Sequence, residues 1–216
     1  MSEIPELFTP EVREFLEHLE GRGLKGVKFF SKGTTSLVFT ASLKGRGVVV
    51  KLQRPDSPRR NFAREARILK AVEPFRVAPP LLEYGTFRGL EYIIREFAEG
   101  EVILRADIEK RHVIEIALKT ATLDRLYLDH GQIQGGKHII IGKDVWLIDF
   151  EKANWRKPNN LTSALSMLFV GRNAISERLY RKFGLDEGFR EEMKEALREY
   201  KRTGRLSALL DVLSTL

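Results

Sequence analysis

The sequence predicts an α+β fold in two parts, strand-rich over residues 1–98 and mainly helical over residues 99–216. Three observations predict it. Runs of β-branched and aromatic residues recur between Val27 and Phe97, and such residues suit a pleated, half-buried surface. After a short stretch, Glu99-Gly100-Glu101, which reads as a hinge, apolar residues return mostly at helical spacing. Within that second part, His130 to Glu151 places polar residues between apolar runs and reads as an active-site loop. Strands gathered first and helices afterwards are the pattern of an α+β architecture.

Thr9-Pro10-Glu11 starts a helix, with a hydroxyl to cap it, proline at its first position and an acid in its first turn. Val12, Phe15, Leu16 and Leu19 form its apolar face, and Gly21-Arg22-Gly23 ends it. Strands follow over residues 27–30, 37–41 and 47–52, the last two joined by a Gly45-Arg46-Gly47 turn. Between the first two, Lys32-Gly33-Thr34-Thr35-Ser36 is small and polar and suits the close approach of backbone N–H groups to an anion, a pattern shared with ordinary turns. Lys51, at the end of an apolar strand, must reach solvent or meet a negative partner. A helix from about Arg59 to Val72 offers Glu65, although a solvated Glu65 is the commoner outcome of this local pattern. Pro79-Pro80 breaks the chain before strands over 81–85 and 91–97, which brings the total to about five.

In the second part, residues 113–128 keep a helical period, with Gly131 as the expected stop. Two short strands, 139–141 and 145–148, flank the turn Gly142-Lys143-Asp144, and Asp149-Phe150-Glu151 follows directly. Helices are expected over 161–170, 174–183 and 187–202, then a short amphipathic one bearing Leu206, Leu209, Leu210 and Leu213.

No apolar run approaches the roughly 20 residues needed to span a bilayer, and Met1 to Glu6 lacks the basic and apolar regions of a signal peptide, so a cytoplasmic location is expected. The absence of cysteine excludes disulfides and thiolate metal sites, and His18, His112, His130 and His138 are too scattered for a zinc centre. A charged fraction of 31%, few amides and no cysteine lean toward a thermophile. The net charge of +7 favours polyanionic partners, although a soluble basic protein without a large partner carries the same charge. Residues 152–216 hold 13 Lys and Arg against 8 Asp and Glu, a net of +5. Arg156-Lys157, Arg172, Arg178, Arg181, Lys182, Lys201, Arg202 and Arg205 would extend a track for a phosphate backbone. Gly131 to Lys137 fits G-x-x-x-x-G-K, but His138 stands where a P-loop needs Ser or Thr, and the segment runs from helix to strand, which excludes that motif.

A small loop, a strand lysine, a helix glutamate, a hinge, a polar loop after a long helix and an aspartate at a strand end, in that order, resemble the protein-kinase-like fold. Its compact form is closest to the small atypical, RIO-like kinases. The resemblance implies two lobes, a strand-rich N-lobe and a helical C-lobe, with ATP and Mg²⁺ as cofactors. It makes Gly33, Thr34, Thr35 and Ser36 the phosphate-covering loop, Lys51 the residue that holds the α/β-phosphates and Glu65 its partner. Glu96 to Ala98 would supply hinge backbone contacts to adenine, with Glu96 and Ala98 at its ends. His130-Gly131-Gln132 stands where the catalytic loop begins, Lys137 where the family has its metal-binding Asn, and Asp149-Phe150-Glu151 replaces Asp-Phe-Gly, so that Asp149 would bind Mg²⁺.

This chain departs from the family at three points. The first loop keeps one glycine of three. Gln132 replaces the base-position Asp and can orient a hydroxyl but cannot act as a carboxylate base. Lys137 cannot bind Mg²⁺ while protonated, but its charge can neutralise a phosphate directly. The same combination, His-Gly-Gln, then Lys-His, then Asp-Phe-Glu, is similar to an archaeal family of predicted serine/threonine kinases that includes the archaeal RNA kinase, which phosphorylates an internal uridine 2′-hydroxyl in tRNA. That resemblance implies transfer of the ATP γ-phosphate to tRNA, with His130, Gln132, Lys137 and Asp149 as catalytic residues. A serine/threonine protein kinase, or a nucleotide-binding pseudokinase serving as an interaction module, would share the same nucleotide-handling residues.

Overall fold

The computed structural model describes residues 8–57 and 61–216. The signal-peptide reading of the first six residues and the expected helix start at Arg59 lie outside the described residues. The protein is α+β and forms two compact units, one of residues up to Pro74 with Pro79–Phe97, the other of Phe75–Ala78 with Ala98–Leu216.

In the first unit, β1 (Leu24–Lys32), β2 (Ser36–Leu43), β3 (Arg46–Gln53), β4 (Leu81–Phe87) and β5 (Leu90–Glu96) make an antiparallel sheet of order β1-β2-β3-β5-β4. Side chains alternate between the faces of a strand. Val48, Val50 and Leu52 of β3 therefore join one core with Val12, Phe15 and Leu19 of α1 (Pro10–Gly21) and with Phe39, Tyr92 and Ile94. Phe15 is fully buried, and its truncation to alanine would cost about 3–5 kcal/mol. The intervening Lys51 has the opposite parity. It faces α2 (Phe62–Val72), which buries Phe62, Glu65, Ala66, Ile68, Leu69 and Val72.

In the second unit, α3 (Lys110–Arg125) begins three residues before the expected start, because Glu109 and His112 form a reciprocal cap. It also ends earlier: Leu126 is the cap and Tyr127 turns the chain with φ +52°, so Gly131 is not its stop. Leu128, expected in the helix, instead pairs with Trp155 in a two-stranded ribbon of β7 (Leu128–Asp129) and β10 (Asn154–Trp155). β6 (Glu101–Val102), β8 (Ile139–Ile141) and β9 (Val145–Leu147) form an antiparallel sheet of order β6-β8-β9. The expected Glu99-Gly100-Glu101 hinge thus runs straight into a paired strand. Phe75–Ala78 belongs to this unit because the Leu147 N–H donates to the Val77 carbonyl at 3.0 Å and Val77 is fully buried.

The helix expected over 161–170 is α4 (Asn160–Leu165) continued by a π-helical turn, Ser166–Val170. α5 (Ala174–Phe183), α6 (Glu187–Thr203) and α7 (Ser207–Ser214) complete the chain. Among the described residues, no helix is long and apolar enough to cross a membrane.

Candidate functional site

Lys51 and Glu65 meet. Lys51 Nζ donates to Glu65 Oε2 at 2.8 Å, with side chains only 12% and 5% exposed, and Nζ also lies 5.7 Å from the centre of the Phe62 ring. Strand parity turns Lys51 toward α2, and helical spacing puts Glu65 one turn beyond Phe62 on the inward stripe. Burying two charges costs several kcal/mol per ion before their attraction is counted, so packing alone gives no reason for this pair.

The loop after β1 is shaped by Arg54, a residue that the sequence patterns did not single out. Arg54 Nη1 donates to the carbonyls of Gly33 at 3.2 Å and Thr34 at 3.3 Å, while the Arg54 N–H donates to the Thr35 carbonyl at 2.9 Å. Asp56 in turn accepts from Arg54 Nε at 2.8 Å. A Cβ on Gly33 would come 3.1 Å from Ser36 Oγ. Thr35 and Ser36 are buried, and Thr35 Oγ1 has no hydrogen-bond partner among the described residues. At the end of β5, the Glu96 N–H donates to the Pro80 carbonyl and the Phe97 N–H to the Gly47 carbonyl, both at 3.0 Å. The Glu96 carbonyl accepts from Arg95 Nη1 at 3.1 Å, its carboxylate lies 3.4 Å from Arg46, and Ala98 is buried.

In the second unit, Asp149 follows β9 in the left-handed region, with φ 62° and ψ 72°. A non-glycine residue held there is strained, and such strain clusters at functional sites. Its carboxylate is 37% exposed and lies 3.8 Å from His138 Nδ1. His130 sits beneath, fully buried, with Nε2 3.0 Å from the Ile148 carbonyl and its ring 4.6 Å from that of Phe150. Burial, with His138 nearby, pushes its pKa down to about 4, so the ring is neutral at neutral pH. Its Nε2–H can donate to Ile148, and Nδ1 has no hydrogen-bond partner among the described residues. His130 therefore braces the backbone that presents Asp149.

Asn160, absent from the sequence reasoning, ties three segments together. Its Oδ1 accepts from the His130 N–H at 2.9 Å, and its Nδ2 donates to Leu128 O and Asp124 Oδ1, both at 2.8 Å. Asp129 also emerges only from the structure: it accepts from the Gly131 N–H at 3.0 Å and from Arg156 Nε at 2.7 Å. Gln132 is half-buried and Lys137 exposed; neither side chain is engaged by another described residue. The structure thus joins Lys51 with Glu65, and His130 with His138 and Asp149.

These features define an α+β protein with a buried lysine–glutamate pair between an antiparallel sheet and a helix, and a strained, part-exposed aspartate after a short hairpin. No protein-family model matches the chain. It is 39% identical over 102 residues, 43% of this chain and 87% of the relative, to "Uncharacterized protein MJ1211" of Methanocaldococcus jannaschii. The chain belongs to the family of that archaeal protein.

Proposed function

We propose that the protein is a kinase with a two-lobed, protein-kinase-like fold that uses ATP and Mg²⁺ to phosphorylate RNA, most specifically an internal ribose 2′-hydroxyl of tRNA. The observation that carries this reading is the buried Lys51–Glu65 pair at 2.8 Å. Glu65 holds the lysine extended, as a phosphate-binding cation requires.

The chain's residues fit both cofactors. The Thr34 and Thr35 N–H groups donate to no acceptor among the described residues, and neither does that of Ala98, two residues beyond the Glu96 carbonyl. Phosphate oxygens and an adenine edge would satisfy such groups. Among the described residues no three His, Cys, Asp or Glu side chains gather around a metal position. Mg²⁺ suits that arrangement, since it is commonly held by one or two carboxylates together with substrate phosphates, and Asp149 would be the carboxylate here. Bound there, the ion would neutralise charge on the transferring phosphoryl group.

Gln132 would orient the acceptor hydroxyl through its amide, and Lys137 would stabilise the transferred charge. His130 would act as a positioning residue through Ile148, and Asp129 would do the same for Gly131 and Gln132. With no carboxylate at position 132, the acceleration rests on positioning and electrostatics, the larger share of phosphoryl transfer in any case. The basic excess of residues 152–216 supports an anionic macromolecular acceptor.

The test is transfer of γ-labelled phosphate from ATP to unmodified tRNA, with Lys51→Ala and Asp149→Ala as controls and nuclease mapping of the product. Label on an internal ribose, reduced at least about a hundredfold in both variants, is expected. Label on a protein acceptor alone would indicate a serine/threonine protein kinase. Gln132 favours one further outcome, ATP binding without any transfer, as in a pseudokinase that serves as an interaction module.

A further inference from the structure

Helix α3 ends in a way that its sequence does not favour. Tyr127 follows the Leu126 cap with φ +52°, a left-handed position that glycine occupies freely and a residue with a Cβ occupies under strain. Tyr127 is 69% exposed, so core packing does not offset that strain. Across the ribbon, the Tyr127 carbonyl accepts from the Arg156 N–H at 2.9 Å, and the neighbouring Trp155 is 46% exposed.

Exposed cations surround the ribbon. Arg125, Lys152, Arg156 and Lys157 are all exposed, whereas of the neighbouring acids Asp124 is engaged by Asn160 and Tyr200, Asp129 by Arg156, and Glu151 is half-buried. Exposed aromatic residues among exposed cations match the chemistry of unstacked nucleotides, with bases for the rings and phosphates for the charges. The ribbon also runs into the candidate site. Asp129 bonds the Gly131 N–H, a Cβ on Gly131 would come 3.1 Å from the Lys152 carbonyl, and Gln132 is the next residue.

Taking Gln132 as the residue that orients the acceptor, we infer that Tyr127 and Trp155 are stacking platforms for nucleotides beside the acceptor. The RNA is bound there as a single-stranded or bulged segment with bases splayed out, not as continuous duplex. Continuous duplex keeps its base faces stacked and offers these rings nothing.

The experiment compares binding of a labelled single-stranded oligoribonucleotide, and of the same strand annealed to its complement, by the parent protein, Tyr127→Gly, Trp155→Ala and Trp155→Phe. Phosphate transfer to tRNA is measured alongside. Tyr127→Gly and Trp155→Ala should each weaken single-strand binding about tenfold to a hundredfold, and Trp155→Phe should retain most of it. Tyr127→Gly should also melt no lower than the parent, because glycine relieves the strained position, so its weaker binding is not a folding defect. Unchanged single-strand binding by Tyr127→Gly and Trp155→Ala overturns the inference, as does a preference for duplex; neither by itself touches the kinase reading. Binding lost in those variants without transfer to any RNA keeps the platform and removes the role given to Gln132.

Discussion

If Lys51 and Glu65 are retained for ligand handling, replacing both with apolar residues should leave the fold intact. At 2.8 Å and an effective dielectric constant near 20, their attraction is about 6 kcal/mol. Desolvating two side chains only 12% and 5% exposed consumes a comparable amount. Lys51→Met alone leaves Glu65 buried without its cation and should destabilise the first unit by about 3–5 kcal/mol. Lys51→Met combined with Glu65→Leu should lie within about 1 kcal/mol of the parent or above it. Both tryptophans, Trp146 and Trp155, belong to the second unit, so their fluorescence does not follow the first. Amide exchange along β3 does. In Lys51→Met it should accelerate by about two to nearly four powers of ten, and in the double variant it should return near the parent rate while ATP binding stays lost. Additive losses in the double variant would refute the reasoning, as would a single-variant cost below about 1 kcal/mol.

Two other outcomes follow from the second unit. His130 has its pKa lowered from 6.5 to about 4 by burial, so the unfolded chain takes up a proton below 6.5 that the folded chain refuses. The corresponding stability is fully present above pH 6.5 and is lost as pH falls toward 4, about 3 kcal/mol in all. Urea midpoints of parent and His130→Gln at pH 7 and 4.5 check it, and equal losses in both would exclude His130 as the source. Gly100 has φ +135°, and a Cβ there would fall 2.3 Å from the Ile141 carbonyl oxygen. Gly100→Ala should cost at least about 3 kcal/mol in thermal or urea unfolding, because the obstacle is backbone.

What could be read from the residues depended on whether a periodicity exposed it. The five strands of the first unit and the helices near its ends followed from β-branched runs and apolar stripes, since burial imposes those periods. Lys51 stood out because a charge in an apolar strand needs an explanation, whereas the local pattern around Glu65 favoured a solvated side chain and the resemblance paired it with Lys51. Arg54 left no such trace: its part is played through backbone carbonyls that any residues at positions 33 to 35 would present. Asn160 likewise reads as an ordinary helix-start residue, although it holds His130 and Leu128 in register. The end of α3 was misplaced because glycine is the expected terminator and the chain uses Tyr127 instead. Gln132 and Lys137 are engaged by no other described side chain, so their interest comes from resemblance and not from packing.

The grip of Arg54 on the first loop has an electrical consequence. A trans peptide is planar, with its C=O and N–H pointing opposite ways. Because the carbonyls of Gly33 and Thr34 are drawn to the guanidinium, the N–H groups of Thr34 and Thr35 must point away from it. Two consecutive peptide dipoles thus present their positive ends on the far side of the loop, aligned by a side chain where other anion-binding loops rely on repeated glycines. One glycine is then enough for that alignment, and any affinity of the loop for an anion would depend on residue 54.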